Sequence, residues 1–278
     1  MKIGLVYQPK TEAAVAGANT AHDRLNALGH SSWILSSWEV DETTSDLPNT
    51  DLLISLGGDG TLLRAVRAAA PSEIPCIGIN FGRLGFLTEL EEIDIDSIID
   101  KFEGRQGWLE ERVMLDWRLT RENRQVAGGI ATNDVVVARG AISRVIDISL
   151  EIDGGFIVTY TADGVVVTNP TGSTGYSLSC GGPVIEPTAK SLVLTPIAPH
   201  NLNARPLVIS DDTEIRLRVS GREHHHLISL DSRIASVENG KEILIRKAGF
   251  TVKMIEFASE SFLKTLRNKL LWGEDRRN

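Results

Sequence analysis

Apolar residues follow two different rhythms along this chain of 278 residues. In the first third, short continuous apolar runs alternate with stretches of helical spacing. Residues 2–7 form one buried run, an opening strand. Over 11–28, Ala14, Ala18, His22, Leu25 and Leu28 recur every three or four positions, which predicts a helix with one buried face, stopped by Gly29. Residues 32–36 and 51–56 are two further strands, 62–70 a helix ended by Pro71, and 76–80 another strand. Such alternation predicts a Rossmann-like, mostly parallel sheet with helices on both faces.

From about Trp108 short β-rich runs follow one another: 113–120, 125–130, 134–138, 146–152, 155–160, 164–168, 207–210, 214–219, 226–230 and 242–248. Turn clusters such as Asp153-Gly154-Gly155 and Glu238-Asn239-Gly240 separate them, so this part is expected to be all-β, a β-sandwich. One helical stretch interrupts it, starting at 177–178 and continuing past the Gly181-Gly182-Pro183 break. The tail over 259–271 is helical again, with Phe262, Leu263, Leu266 and Leu270 on one face. A helix that returns to cover the first domain accounts for that stripe. The expected division is an α/β nucleotide-binding domain over 1–103, an all-β domain over 104–255, and a C-terminal segment, 256–278, packing back on the first domain.

Composition narrows the function classes. Hydrophobic residues make up 42% and charged residues 24%, the balance of a globular protein with a sizeable core. A formal charge of -8 argues against a nucleic-acid surface, which clusters Lys and Arg, yet it does not forbid a polyphosphate held by backbone N–H groups or a metal ion. Cys76 and Cys180 stand far apart with no metal-ligand spacing and fit small apolar filler in a reducing compartment. The N-terminus has the character of a strand rather than a signal peptide, and no run reaches the ~18 apolar residues of a membrane span. A soluble, cytoplasmic protein without nucleic-acid or membrane partners is therefore expected.

Three loops carry candidate chemistry. In Leu56-Gly57-Gly58-Asp59-Gly60-Thr61-Leu62 an apolar strand runs into three glycines, one acid and a hydroxyl, and then into a helix. Ligands of open α/β sheets bind at the carboxyl ends of strands, glycines allow close backbone approach to phosphates, and a helix N-terminus favours anions. Neither a Walker loop nor a GxGxxG pattern is present. An acid among phosphate-binding glycines fits two tasks, holding Mg²⁺ or accepting a proton from an attacking hydroxyl; a plain helix cap is the simpler alternative. Arg64, one turn on, either faces the same phosphates or lies in solvent.

The second loop, Thr168-Asn169-Pro170-Thr171-Gly172-Ser173-Thr174-Gly175-Tyr176-Ser177-Leu178-Ser179, offers hydroxyls, backbone N–H groups and little bulk, which suits a nucleotide lying across it; an ordinary surface loop has the same composition. The third, Thr132-Asn133-Asp134, leads into an apolar strand and by itself is a turn signal. His224-His225-His226 suggests a metal site, but consecutive strand residues face opposite sides, so a solvated strand start is expected.

Together these segments resemble the NAD kinase family. Gly57 to Thr61 matches its GGDGT motif, and Asn80-Phe81-Gly82-Arg83-Leu84-Gly85-Phe86-Leu87 its N-x-G-x-LGFL segment. Asn133-Asp134 stands where the family usually has Asn-Glu. Asp163-Gly164 with residues 168–176 is similar to DG…(S/T)TPTGSTAY, and Pro199-His200-Asn201-Leu202-Asn203-Ala204-Arg205-Pro206-Leu207 to PH-x-L-x-x-RPL. The matches run in order from about 50 to 235. GGDGT alone is shared with lipid kinases, which leaves a diacylglycerol- or sphingoid-base-type kinase and a non-catalytic dinucleotide sensor as alternatives.

The resemblance implies an α/β domain, an all-β NAD-binding domain and a cleft between them. It implies transfer of the γ-phosphate of ATP, with a divalent metal such as Mg²⁺, to the 2′-hydroxyl of the adenosine ribose of NAD. By matching position Asp59 becomes the general base. Gly57, Gly58, Gly60, Thr61, Arg64 and Phe81 lie beside the phosphates and the dinucleotide, and Asn133 and Asp134 hold NAD. Asp163 lies near the nicotinamide end. Thr171 and the run Thr174, Gly175, Tyr176, Ser177, Leu178 and Ser179 line the adenosine, while Arg144, Thr161 and Arg233 fall at positions that touch the ligand. The family is commonly a homodimer or homotetramer. Asp134 for Glu and Gly175 for Ala are departures from its pattern.

Overall fold

The computed structural model describes residues 1–82, 85–88, 94–122, 124–140, 145–222, 224–231, 233–257 and 261–270. The chain divides into two compact units, Met1–Glu111 with Thr251–Asn278, and Arg112–Phe250.

The first unit opens with β1 (Lys2–Tyr7), α1 (Glu12–Ala27), β2 (Ser31–Ser36), β3 (Leu52–Gly57), α2 (Asp59–Ala69), β4 (Cys76–Asn80) and α3 (Ile95–Glu103). Its sheet runs β2-β1-β3-β4, every pair parallel, as the alternating pattern predicts. Side chains alternate across it. Ile3, Leu5, Leu52, Ile54, Leu56, Ile77 and Ile79 form one core with Ala18, Ala21 and Leu25 of α1 and Ile95, Ile98 and Ile99 of α3. The other face is met by α2: a Cβ on Gly78 would lie 2.8 Å from Leu62. Glycine there lets helix and sheet come close. The sequence pattern passes over α3 because it is short, yet its start is marked: the Asp94 carboxylate accepts from the Ser97 N–H at 3.0 Å, a side-chain cap.

The second unit is built from β5 (Trp108–Arg121), which begins in the first unit, β6 (Arg124–Ala131), β7 (Asp134–Arg139), β8 (Ile146–Ile152), β9 (Gly155–Ala162), β10 (Gly164–Thr168), a short helix α4 (Tyr176–Ser179), β11 (Ser191–Ile197), β12 (Leu207–Ser210), β13 (Ile215–Ser220), β14 (His225–Leu230), β15 (Arg233–Glu238) and β16 (Glu242–Glu256). One sheet has the order β12-β11-β10-β7-β14-β15, all antiparallel. The other pairs β16, β13, β8 and β9 antiparallel, with β5 joined to β16 and β6. Residues of both, among them Val135, Val137, Val165 and Val167 on one side and Ile148, Leu150, Leu217 and Ile243 on the other, share a single buried core. This is the expected sandwich. Asp153 (φ 50°) and Gly154 (φ 80°) turn β8 into β9 through the left-handed region, as a tight hairpin requires.

Three expectations change. The helix starting at 177 stops at Ser179 instead of crossing Gly181, which adopts φ 85°. β16 extends to Glu256, and its last residues enter the first unit, where Met254 pairs in parallel with Cys76. His226 is fully buried on β14, its Nδ1 3.0 Å from Asn239 Oδ1, instead of solvated. The tail helix is α5 (Ser261–Leu270), with Leu266 buried; among the described residues no helix is long and apolar enough to cross a membrane.

Candidate functional site

In the first unit, β3 ends at Gly57 and the chain turns at once into α2, of which Asp59 is the first residue. Gly58 is the N-cap, its carbonyl accepting from the N–H groups of Thr61 and Leu62 at 2.9 and 3.2 Å. The glycines are not equivalent. A Cβ at Gly57 would meet Thr61, whereas at Gly58 and Gly60 it would meet nothing within 4 Å. Gly57 serves the tightness of the turn; Gly58 and Gly60 leave the outer face of the loop open to a ligand beside a helix N-terminus.

Asp59 does not cap its own helix. Its carboxylate reaches the segment after β4: Oδ2 accepts from the Phe86 N–H at 2.7 Å, and Oδ1 from the Leu87 N–H at 3.2 Å and the Thr88 hydroxyl at 3.3 Å. A Cβ at Gly85 would collide with this carboxylate. The Gly-Phe-Leu run is therefore a socket for Asp59, a link invisible in a linear reading. Asn80 anchors the start of the same segment, its Oδ1 accepting from the Gly82 N–H at 2.9 Å, and the Phe81 N–H donates to the Gly57 carbonyl at 3.1 Å. On the far side, Lys269 of α5 stands 4.8 Å from the Phe86 ring centre. Arg64 is exposed on α2, and Thr61 is buried under the turn.

In the second unit a second cluster forms where β7 begins and β10 ends. The Asn169 amide donates to the Thr132 carbonyl at 2.7 Å while its Oδ1 accepts from the Gly172 N–H at 3.0 Å. The Thr168 hydroxyl donates to the Asn133 carbonyl at 2.7 Å. Gly172 sits so close that a Cβ would strike Thr168 and lie 2.5 Å from the Asn133 carbonyl oxygen. The loop 171–179 is thus locked onto the Asn133-Asp134 turn. Within it, Ser177 points inward to Thr195 at 2.8 Å, whereas Gly175, Tyr176 and Ser179 are exposed and Thr174 and Leu178 half-buried. In this cluster Asn133 Oδ1 and Thr171 Oγ1 are buried without a partner among the described residues.

Asp134 is 8% exposed, and burial together with the charge of Asp231 pushes its carboxyl up to about 7. The Asp231 carboxylate accepts from the backbone N–H groups of Thr132 and Asn133 at 2.7 and 2.8 Å. Asp163 pairs with Arg139 at 2.9 Å, and the Thr161 hydroxyl donates to Asp147 at 2.6 Å. Arg233 is exposed, its guanidinium donating to the Leu230 and Ile130 carbonyls at 3.3 and 3.2 Å. Arg144 lies outside the described residues. Sequence reasoning missed Asp231 and the holding roles of Gly85 and Thr88 altogether.

Two family models match the chain. The ATP-NAD kinase N-terminal domain matches residues 5–106, and the ATP-NAD kinase C-terminal domain matches residues 132–257. The chain belongs to the NAD kinase family. The NAD kinase of Flavobacterium johnsoniae is 47% identical over 256 residues, covering 91% of this chain and 87% of the relative. That of Christiangramia forsetii is 49% identical over 229 residues, covering 82% and 78%. Among solved structures, an NAD kinase from Archaeoglobus fulgidus in complex with ATP superposes with a TM-score of 0.76 at 27% identity, covering 96% of this chain and 99% of that one. Yeast NADH kinase complexed with NADH shares the fold, with a TM-score of 0.84 at 23% identity, covering 100% and 89%. This NAD kinase is accordingly an enzyme that moves phosphate from ATP to NAD. The lipid-kinase alternative, which GGDGT alone left open, lapses with the C-terminal match.

Proposed function

We propose that Asp59 is the general base that takes the proton from the 2′-hydroxyl of the adenosine ribose of NAD as the γ-phosphoryl group of ATP arrives. The carrying observation is how its carboxylate is held. Among the described residues Oδ1 receives two hydrogen bonds, whereas Oδ2 receives one, from Phe86, and keeps a lone pair for a ribose hydroxyl. A carboxylate is by nature a weak base for such a hydroxyl. Its value lies in orientation and late proton acceptance, together worth roughly 10²–10⁴ in rate. Phosphoryl transfer rests mainly on positioning and neutralisation of charge. Gly58 and Gly60 offer open backbone for the phosphates, with Gly57, Thr61, Arg64 and Phe81 around them.

In the same reading the second unit binds the dinucleotide. Asn133 and Asp134 accept from ribose hydroxyls, with the unpartnered Asn133 Oδ1 as support. Thr171 and residues 174–179 line the adenosine, Asp163 lies toward the nicotinamide, and Arg144, Thr161 and Arg233 lie at its margin. Nucleotide chemistry thus falls to 1–103, NAD binding to 104–255, and completion of the first domain to 256–278. A divalent metal such as Mg²⁺ would neutralise charge on the phosphates of ATP. A cytoplasmic homodimer or homotetramer fits the family and the two free cysteines.

The test is NADP formation by Asp59→Asn against the parent enzyme, with ATP or inorganic polyphosphate as donor. Turnover should fall by roughly 10²–10⁴ while NAD affinity holds. The amide leaves one of the donors at Phe86 and Leu87 unmet, so a modest loss of stability, ~1–3 kcal/mol, should accompany it. Near-normal turnover would remove Asp59 from the base role.

A further inference from the structure

Three consecutive backbone N–H groups converge on one side chain. Asp231 Oδ2 accepts from Thr132 at 2.7 Å, and Oδ1 accepts from Asn133 at 2.8 Å and Asp134 at 3.3 Å. In return the Asp231 N–H donates to the Asp134 carbonyl at 3.3 Å. The turn is a nest for an anion, and the anion is supplied by the protein itself.

This arrangement carries two burdens that a simple turn does not need. Asp231 adopts φ 46°, in the left-handed region that side chains other than Gly enter only at a cost. It also brings a second carboxylate against Asp134, which is already buried. A neutral Asn or Ser would satisfy a turn N–H without like-charge repulsion. Such strain persists where geometry must be fixed closely, and what is fixed here is the backbone of Asn133 and Asp134, one of which carries a buried acceptor without a partner.

We infer that Asp231 is a positioning residue for the dinucleotide: it clamps the Asn133-Asp134 turn so that both side chains face the ribose hydroxyls, without itself touching NAD. This rests on the reading that Asn133 and Asp134 hold NAD. From β10 the neighbour of Asp134 is the neutral Thr168, and from the end of β14 it is Asp231. A ribose hydroxyl donates best to the ionised carboxylate, so KM for NAD should fall as pH rises through about 7. Removing the Asp231 charge lowers the proton affinity of Asp134 and moves that midpoint to lower pH.

The experiment measures kcat, KM for NAD and for ATP, and the pH profile of KM for NAD, on the full chain carrying Asp231→Asn. The expected result is KM for NAD up ~10-fold, the size of one lost charge-assisted hydrogen bond, with kcat and KM for ATP within about twofold and the midpoint shifted acidward. An unchanged KM for NAD in a folded variant overturns the proposal, as does a fall in kcat with KM for NAD unaltered or a midpoint that stays in place. Should Asp231→Asn not fold, Asp231→Ser, which keeps one acceptor, carries the same expectations. Asn133→Ala and Asp134→Ala separate the two layers: if both leave KM for NAD unchanged, the reading beneath the proposal fails. If they raise it and Asp231→Asn does not, only the positioning role fails.

Discussion

Adding a single methyl group at Gly85 should disable turnover without unfolding the enzyme. A Cβ at that position would overlap Asp59 Cγ and both of its carboxylate oxygens. Since Cβ atoms do not approach other heavy atoms closer than ~3 Å, either the carboxylate or the 85–88 segment must retreat by about an ångström. Misplacement of that size in a reacting group costs ~10²-fold in rate. Retreat also breaks or lengthens the bonds from Phe86, Leu87 and Thr88. Hydrogen bonds to a charged group are worth ~1.5–3 kcal/mol each, but Asp59 is only half-buried and water replaces part of the loss, so ~1–3 kcal/mol in total is expected. That corresponds to roughly 2–4 °C in Tm for each kcal/mol. NADP formation at saturating ATP and NAD, coupled to an NADP-specific dehydrogenase, reads kcat directly. Gly249→Ala, where a Cβ meets nothing within 4 Å, is the control for glycine replacement as such. If Gly85→Ala turned over at the parent rate with an unchanged melting curve, the socket would not be what orients Asp59.

Two further outcomes follow from the second unit. Gly172→Ala drives a methyl into Thr168 and the Asn133 carbonyl, so the 171–174 turn must lift; an overpacking loss of ~1–3 kcal/mol and a KM for NAD raised at least several-fold are expected from thermal melts and steady-state kinetics. Asp134, raised from 3.8 to about 7, binds its proton more tightly folded than unfolded. Stability should therefore decline as pH rises from about 4 to about 7, and Asp134→Asn should flatten that slope and melt higher than the parent at pH ~8.

The sequence revealed the chemistry-bearing loops more fully than the frame around them. A strand running into Gly57-Gly58-Asp59-Gly60-Thr61 carries its function in local spacing, and so does the Ser- and Thr-rich turn after β10. β11 was hidden because Pro196 lies in its run, although that residue pairs opposite Val165 near the strand end. β15 escaped because five of its six residues are exposed and no alternation survives. Gly249 made β16 look finished at 248, well short of Glu256. The holding residues were hidden for a different reason: Asp59 meets Phe86, and Asp231 meets Thr132, only through tertiary contact. A carboxylate that binds backbone N–H groups about a hundred residues earlier leaves no periodic trace.

The path of β16 also bears on how the protein is made. The parallel sheet of the first unit gains its last strand only when Met254 reaches Cys76, a residue synthesised long before it. Until then the β4 edge is bare, and the strand that closes it is continuous with one already committed to β13. Nascent chains that stop short of residue 256 should accordingly expose an adhesive sheet edge and be prone to aggregation.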